Sequence, residues 1–316
     1  MINTQKSFFS VCTLKKANFI PENYFSLIRF YKNIKYSVIV PKREIVKFTK
    51  FFESKKLNDI NIVNEEQFIS ISDFREILLN LCKEKNIELK KRDLERIGWY
   101  YQQVLKLSFL FEESKKYNYL IMIDSDTILL RKLTFFKDNR SIISFSNYER
   151  NLSYLKSCEY IFKKKFPNWK SSTVQLFAIT RKELLFMGKN LDNFLSSKGF
   201  KSYSYWLSTI ILKTTLEQYS SINGSLFSEQ DLIGISNELN GSRIKEERIF
   251  IRSNVFGLFN KKQKNLAAFL GYEYLTYEEY FLKKKSLNIF NLLFILLINN
   301  PYIYKLLKLI KKFKIK

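Results

Sequence analysis

The chain has 316 residues, 46% of them hydrophobic and 16% aromatic, with only 8 Gly and 4 Pro; a sizeable core is possible, and a disordered or low-complexity polymer is excluded. It has no histidine, so a His general base, a His metal ligand and a Ser-His-Asp triad are excluded, and Cys12, Cys82 and Cys158, far apart and odd in number, suggest no disulfide framework or CxxC site. The formal charge of +24 comes from 54 basic against 30 acidic residues; part of it is solvated lysine, and the rest points to an anionic partner, namely phosphate, anionic lipid or nucleic acid.

Residues 1–19 contain no long apolar run, so they read as a first strand over 7–14 and not as a signal peptide, and the cysteine usage fits a reducing cytoplasm. Pro21 suits the first turn of a helix over NYFSLIRFY. The β-branched run 36–40, stopped by Pro41, reads as a buried strand, 43–52 as a helix, 59–63 as a strand and 74–82 as a helix. A long helical pattern over 94–114 leads into a strand at 119–123. Further strands are expected at 141–145, 174–179 and 249–259, with helices over 181–195 and 205–219. This β/α alternation, with near-continuous apolar strands, predicts an open, mostly parallel sheet with helices on both faces.

The most informative stretch is YLIMIDSDT, where an apolar strand runs into Asp124 and Asp126. In open α/β sheets ligands bind beyond the carboxyl ends of strands. Two carboxylates placed there repel each other, and a divalent Mg2+ or Mn2+ relieves that repulsion while bridging to substrate phosphates. The blander possibility is that Asp124 caps the next turn and Asp126 is solvated. A haloacid-dehalogenase-like phosphatase also begins from an acidic pair after a strand, but it expects a Gly after the second Asp, where this chain has Thr127, and a position near the N-terminus.

On the preceding helix Trp99, Gln102, Gln103 and Lys106 fall on one stripe, at i, i+3, i+4 and i+7; Tyr100, Val104, Leu107 and Phe111 form a second stripe that can face the sheet. The first stripe is either a platform for a base, ribose and diphosphate, with Lys106 as a point charge on phosphate, or a solvated face with one half-buried Trp.

GWYYQQVLKL followed by YLIMIDSDTILL and Phe135-Phe136 resembles a family of bacterial glycosyltransferases of the GT-A fold associated with surface polysaccharide or lipopolysaccharide assembly. VIVPK at 38–42, IVNEE at 62–66, SSTVQLFAITR at 171–181 and FSEQDL at 227–232 extend the likeness over most of residues 7–260. The resemblance implies a GT-A-like, Rossmann-like domain over 1–262, with a donor half over about 1–140 and an acceptor half over about 141–262. It implies that Asp124 and Asp126 hold Mn2+ or Mg2+ against a nucleotide-sugar diphosphate. Trp99, Gln102, Gln103, Lys106 and Ser125 would line the donor pocket, and Glu229 or Asp231 would lie near the transferred sugar or the hydroxyl of a glycan or glycolipid acceptor. The alternative for that last pair is a solvated acidic turn. Many such enzymes supply a C-terminal His to the metal; here Tyr277-Glu278-Glu279 stands roughly in its place, leaving the ion to the Asp pair, the diphosphate and water.

Residues 281–316 carry nine Lys and no acidic residue. The apolar run 289–298 is about half of the ~20 residues a spanning helix needs. After Pro301, Leu306, Leu309, Ile310 and Phe313 share one helical face, and Lys305, Lys308, Lys312 and Lys316 another. Residues 263–316 therefore read as a basic amphipathic helical tail, either lying on the anionic inner face of the cytoplasmic membrane or docked on the protein's own core. A nucleic-acid-binding protein and an inactive membrane-bound scaffold are the competing functions; no helix-turn-helix, zinc or ribonucleoprotein signature supports the first, and no specific nucleic acid is expected.

Overall fold

A computed structural model describes residues 3–146, 151–242, 244–252 and 260–277. Its elements in chain order are β1 (Asn3–Val11), α1 (Ile20–Phe30), β2 (Lys35–Val40), α2 (Ile45–Ser54), β3 (Ile60–Asn64), α3 (Ile71–Glu84), α4 (Lys91–Glu113) and β4 (Tyr117–Ile123). Then follow β5 (Thr127–Leu129), β6 (Phe136–Lys137), β7 (Arg140–Ser141), β8 (Ile143–Phe145), α5 (Leu152–Phe162), β9 (Leu176–Thr180), α6 (Arg181–Phe194), α7 (Tyr203–Tyr219) and α8 (Glu229–Leu239). The last described elements are β10 (Lys245–Glu247), β11 (Phe250–Arg252), α9 (Lys261–Phe269) and β12 (Tyr274–Thr276). Among the described residues no helix is long and apolar enough to cross a membrane.

The chain divides into two compact units. The first comprises Met1–Asn18, Asn33–Ser125 and Thr134–Glu247. Its sheet has the order β3-β2-β1-β4-β9; the first four strands are parallel and β9 runs antiparallel to β4. The mostly parallel sheet with flanking helices expected from the alternating pattern is therefore present, with one reversed strand. The register sets Phe8 beside Tyr36 and Ile121, and Ile121 beside Ala178. These residues are buried, because helices cover the sheet and leave no wet side for an alternating pattern to mark.

The chain runs outward from β1 through β2 to β3 and then returns to β4 on the other side of β1. Strand order thus reverses between β1 and β4, and open sheets of this kind bind ligands at the carboxyl ends flanking such a reversal. There, just past Ser10, the hydroxyl of that residue donates to the Ile123 carbonyl at 2.6 Å and ties the two strand ends together.

α4 lies at the centre of this unit. It starts where Asp93 Oδ2 accepts the Lys90 N–H at 2.8 Å, and Asp93 Oδ1 accepts from Ser221 Oγ and the Ile222 N–H. Both of its predicted stripes meet protein: Tyr100, Val104, Leu107 and Phe111 belong to the main core, while Gln103 and Lys106 are also buried. α6 opens with a reciprocal cap between Thr180 and Glu183, and Glu183 Oε1 also accepts the Ser141 N–H at 3.0 Å.

Several boundaries differ from the sequence expectation. The expected strand at 141–145 splits into β7, paired in a hairpin with β6, and β8, paired with β10. Asp138 and Asn139 have φ of 50° and 58°, the conformation a two-residue hairpin loop needs and one that Asp and Asn tolerate. The strand expected from 174 starts at Leu176, because Gln175 is left-handed. Residues 229–239, for which no helix was expected and whose Glu229 and Asp231 had a solvated acidic turn as the alternative reading, form α8; the Ser228-x-x-Asp231 spacing is a helix-start signal, and Ser228 Oγ does accept the Asp231 N–H at 3.2 Å.

The second unit comprises Phe19–Lys32, Asp126–Leu133 and Arg248–Lys316. In it β12 pairs parallel with β11 and antiparallel with β5. Phe19 stacks on Tyr277 at 5.2 Å, over a small core with Ile128, Leu130, Ile251 and Leu275. α1 is fixed to β5 by two buried polar contacts: Asn23 Nδ2 donates to the Thr127 carbonyl, and Ser26 Oγ accepts the Leu129 N–H. The strand expected over 249–259 is observed as β11; of the helical tail expected over 263–316, the described part forms most of α9 and then the strand β12, while residues 253–259 and those from Glu278 onward lie outside the described residues.

Candidate active site

Asp124 follows directly on β4, and its N–H donates to the Gln175 carbonyl at 2.9 Å, extending the β4–β9 ladder by one bond. Its carboxylate lies beside the ammonium of Lys106, on α4. Lys106 Nζ donates to Asp124 Oδ1 and to Glu229 Oε1, both at 2.9 Å. The Lys106 and Glu229 side chains are each 6% exposed and that of Asp124 is 25% exposed, so the cluster is sealed at the Glu229 end and reaches solvent at Asp124. Burial alone pushes the Lys106 ammonium toward losing its proton; the charges of Asp124 and Glu229, with their hydrogen bonds, overturn that and hold its pKa above the ordinary lysine value. Lys106 is therefore a fixed, buried positive charge.

Glu229 is set by α8. Its N–H donates to Gln103 Oε1 at 3.0 Å, so the amide of one α4 residue and the ammonium of the next-turn residue hold the same helix start. Gln103 Nε2 is buried with no hydrogen-bond partner among the described residues. Asp231 is organised differently. Oδ1 accepts from Trp169 Nε1 at 2.9 Å and the Ser172 N–H at 2.6 Å; Oδ2 accepts from Ser171 Oγ at 3.0 Å and Thr173 Oγ1 at 3.4 Å. Burial pushes its carboxyl above the usual carboxylate range, with these four donors pulling the other way. One turn on, a Cβ at Gly234 would stand 2.3 Å from Ser172 Oγ and 2.9 Å from the Trp169 ring, so only glycine lets the 169–172 segment lie this close to α8.

The other sequence-predicted residues take varied positions. Trp99 is half-buried; it stacks on Tyr154 at 6.3 Å and carries the Arg96 guanidinium 4.7 Å from its ring. Gln102 is half-buried and Ser125 is buried. In the second unit Asp126 is 4% exposed and its carbonyl accepts the Tyr277 N–H at 3.0 Å. The structure thus brings Gln103, Lys106, Asp124 and Glu229 into one hydrogen-bonded run. Trp169, Ser171 and Ser172, which hold Asp231, and Gln175, which bonds Asp124, were part of a recognised motif or its flank, but no local pattern marked their partners, which lie 59–62 residues away for the first three.

Among the described residues no three acidic or cysteine side chains cluster to hold a metal. The donor set at Asp124 is hard oxygen, which suits Mg2+ or Mn2+, ions that keep several waters and take only one or two carboxylates from the protein. Asp124 is 25% exposed, and Lys106 donates to one of its carboxylate oxygens.

No curated protein matches the chain. Among solved structures it is similar to the galactosyltransferase LgtC in complex with donor and acceptor sugar analogs, at 10% identity over 86% of each chain with a TM-score of 0.42, and an active-site mutant of LgtC gives the same values. Mouse xyloside xylosyltransferase 1 in its apo form is similar at 9% identity over 86% of this chain and 97% of that one, with a TM-score of 0.41. Residues 23–209, more than half of the chain, match the family described as "Family of unknown function (DUF6492)", and the chain belongs to that family.

Proposed function

We propose that the protein is a glycosyltransferase that moves a sugar from a nucleotide-diphosphate sugar to a hydroxyl of a surface glycan or glycolipid. One observation carries this: the buried ammonium of Lys106, clamped between Asp124 at the carboxyl end of β4 and Glu229 at the start of α8, next to the reversal of strand order. Glycosyl transfer builds positive charge at the sugar's anomeric carbon and negative charge on the departing diphosphate. A fixed cation with carboxylates on either side matches both charges without reorganising.

In this proposal Asp124 and Asp126 hold Mn2+ or Mg2+; their spacing in the sequence supports it. Such an ion, when bound, supplies Lewis-acid stabilisation to the leaving diphosphate. Lys106 fixes the orientation of Asp124 and adds positive charge. Gln103, Gln102, Ser125 and Trp99 contribute donor contacts. Glu229, sealed against the Lys106 ammonium, holds that cation in place, and would accept the acceptor's proton in an inverting reaction only if the site opens at that end; Asp231, with four donors on its two oxygens, acts by holding the 169–173 segment against α8. The donor half (about 1–140) and acceptor half (about 141–262) belong to this proposal.

Asp124→Ala and Asp126→Ala are each expected to reduce sugar transfer by a factor on the order of 10²–10³, the loss typical of removing one transition-state charge stabiliser. The measurement is donor turnover with and without added Mn2+. Undiminished, metal-independent turnover in either variant would remove that residue from the proposed role.

The basic tail is proposed, from its sequence pattern, to hold the enzyme at the cytoplasmic face of an anionic membrane. In liposome flotation the full chain is expected to rise with anionic vesicles, and a chain truncated after Tyr277, which keeps α9 and β12, to stay behind. Equal partitioning of the two would end the membrane assignment.

A further inference from the structure

Eight described residues other than glycine have a left-handed backbone, and seven of them lie where that is unremarkable. Asn33, Lys56, Asn86, Lys163 and Ser220 are in turns that follow helices, and Asp138 and Asn139 form the β6–β7 loop. Gln175, at φ 58°, is different: it stands at the entrance to β9, directly across from Asp124, where no helix end or hairpin calls for this conformation. A long side chain in the left-handed region costs conformational energy, and such positions persist where function holds them. Gln175 is 6% exposed, and its Oε1 is buried with no hydrogen-bond partner among the described residues. At the other end of the run Gln175–Asp124–Lys106–Glu229–Gln103, Gln103 Nε2 is likewise buried and unpartnered.

We infer that Gln175 is a sugar-binding residue whose side-chain carbonyl accepts a hydrogen bond from a hydroxyl of the transferred sugar. An amide oxygen only accepts, so it cannot hold a phosphate, which offers acceptors alone at neutral pH. Its ligand must carry a donor. A sugar hydroxyl supplies that donor, and a sugar carries several hydroxyls that can also accept from an amide N–H. Burying an unmatched carbonyl is unfavourable, so the site discriminates by leaving Oε1 unpaired when the hydroxyl is missing. The backbone conformation serves the same end: it lets the Gln175 carbonyl continue the ladder to Asp124 while sending the side chain off the regular alternation of β9.

This assignment rests on the glycosyltransferase reading, and its test separates the two. The variant is Gln175→Gly, because glycine adopts this backbone freely and the fold is kept. Binding of UDP, UDP-glucose, UDP-galactose and GDP-mannose is measured by calorimetry with Mn2+, for the wild type and the variant. The wild type is expected to bind at least one nucleotide sugar more tightly than the bare diphosphate. Gln175→Gly should bind that sugar about tenfold more weakly, as for one lost hydrogen bond to a buried neutral group, while its affinity for UDP or GDP changes less than twofold. Its ligand-free Tm should be unchanged or higher. Gln175→Asn, which tolerates the same backbone but is one methylene shorter, provides the same readout should the glycine variant not fold. An equal loss for diphosphate and nucleotide sugar would place the side chain on the base or phosphates and overturn the assignment. Unaltered sugar affinity would overturn it as well, leaving Oε1 to a buried water. Failure of the wild type to bind any nucleotide sugar would defeat the glycosyltransferase reading itself.

Discussion

Lys106→Met is expected to lower the unfolding free energy by about 3–5 kcal/mol, the usual result of removing one partner from a buried ion pair. The loss arises at Glu229, whose side chain is 6% exposed and would be left as a buried anion without its cation; Asp124, 25% exposed, recovers part of its solvation from water. The double variant Lys106→Met/Glu229→Gln should recover much of the loss, because no unpaired charge then remains in the sealed end. Urea unfolding measures both. A single-variant loss below about 1 kcal/mol would mean that the carboxylates reach solvent and that the clamp is no more than a surface pair. The pH dependence has a definite sign. The folded-state pKa of Lys106 is raised, so its contribution is complete below the ordinary lysine value and disappears only as pH climbs through the raised value. The contribution of the Lys106 ammonium itself is therefore flat across neutral pH and is lost on the alkaline side.

The second large effect is at Asp231, where Ala and Asn should behave very differently. Asp231→Ala leaves the Trp169 Nε1–H and the Ser172 N–H buried without an acceptor; at about 1–3 kcal/mol for each orphaned group, the expected loss is about 2–6 kcal/mol. Asp231→Asn keeps an oxygen for those two fixed donors and turns its NH2 toward Ser171 and Thr173, whose hydroxyls rotate to accept. It also removes a charge that burial disfavours: the Asp231 carboxyl titrates above its usual range, so its contribution to stability improves as pH falls through that raised value. Asn imitates that neutral form. Thermal melts should show Asp231→Asn near the wild type and Asp231→Ala far below it, and turnover should follow the same order. An Asn variant of normal Tm that has lost turnover by more than about a hundredfold would instead make Asp231 the proton acceptor, since general base catalysis is worth about 10²–10⁴.

Local patterns determined a good deal of this protein. Continuous apolar runs at 36–40 and 119–123 mark strands buried on both faces, and they became β2 and β4. The absence of His confined the chemistry to carboxylates, Lys, Tyr, Gln or a bound metal before any fold was known. The spacing of Gln103 and Lys106 put both on one stripe of a helix, and both do turn toward α8. Each of these signals spans a few residues, and periodicity and composition act over that range.

What the tertiary structure alone decided are the partners. Lys106 meets Glu229 across 123 positions, Gln103 meets the same residue's N–H across 126, and Trp169 meets Asp231 across 62. Nothing in a local window distinguishes a lysine that will be sealed between two acids from one that will stay in water. The same holds for β9, whose apolar run announces a strand but not that it runs antiparallel to β4, and for Gln175, whose left-handed backbone no propensity for glutamine foretells. Ladder direction, burial of charge and forced backbone geometry are set by packing between segments far apart in the chain, and that packing exists only once the whole core has closed.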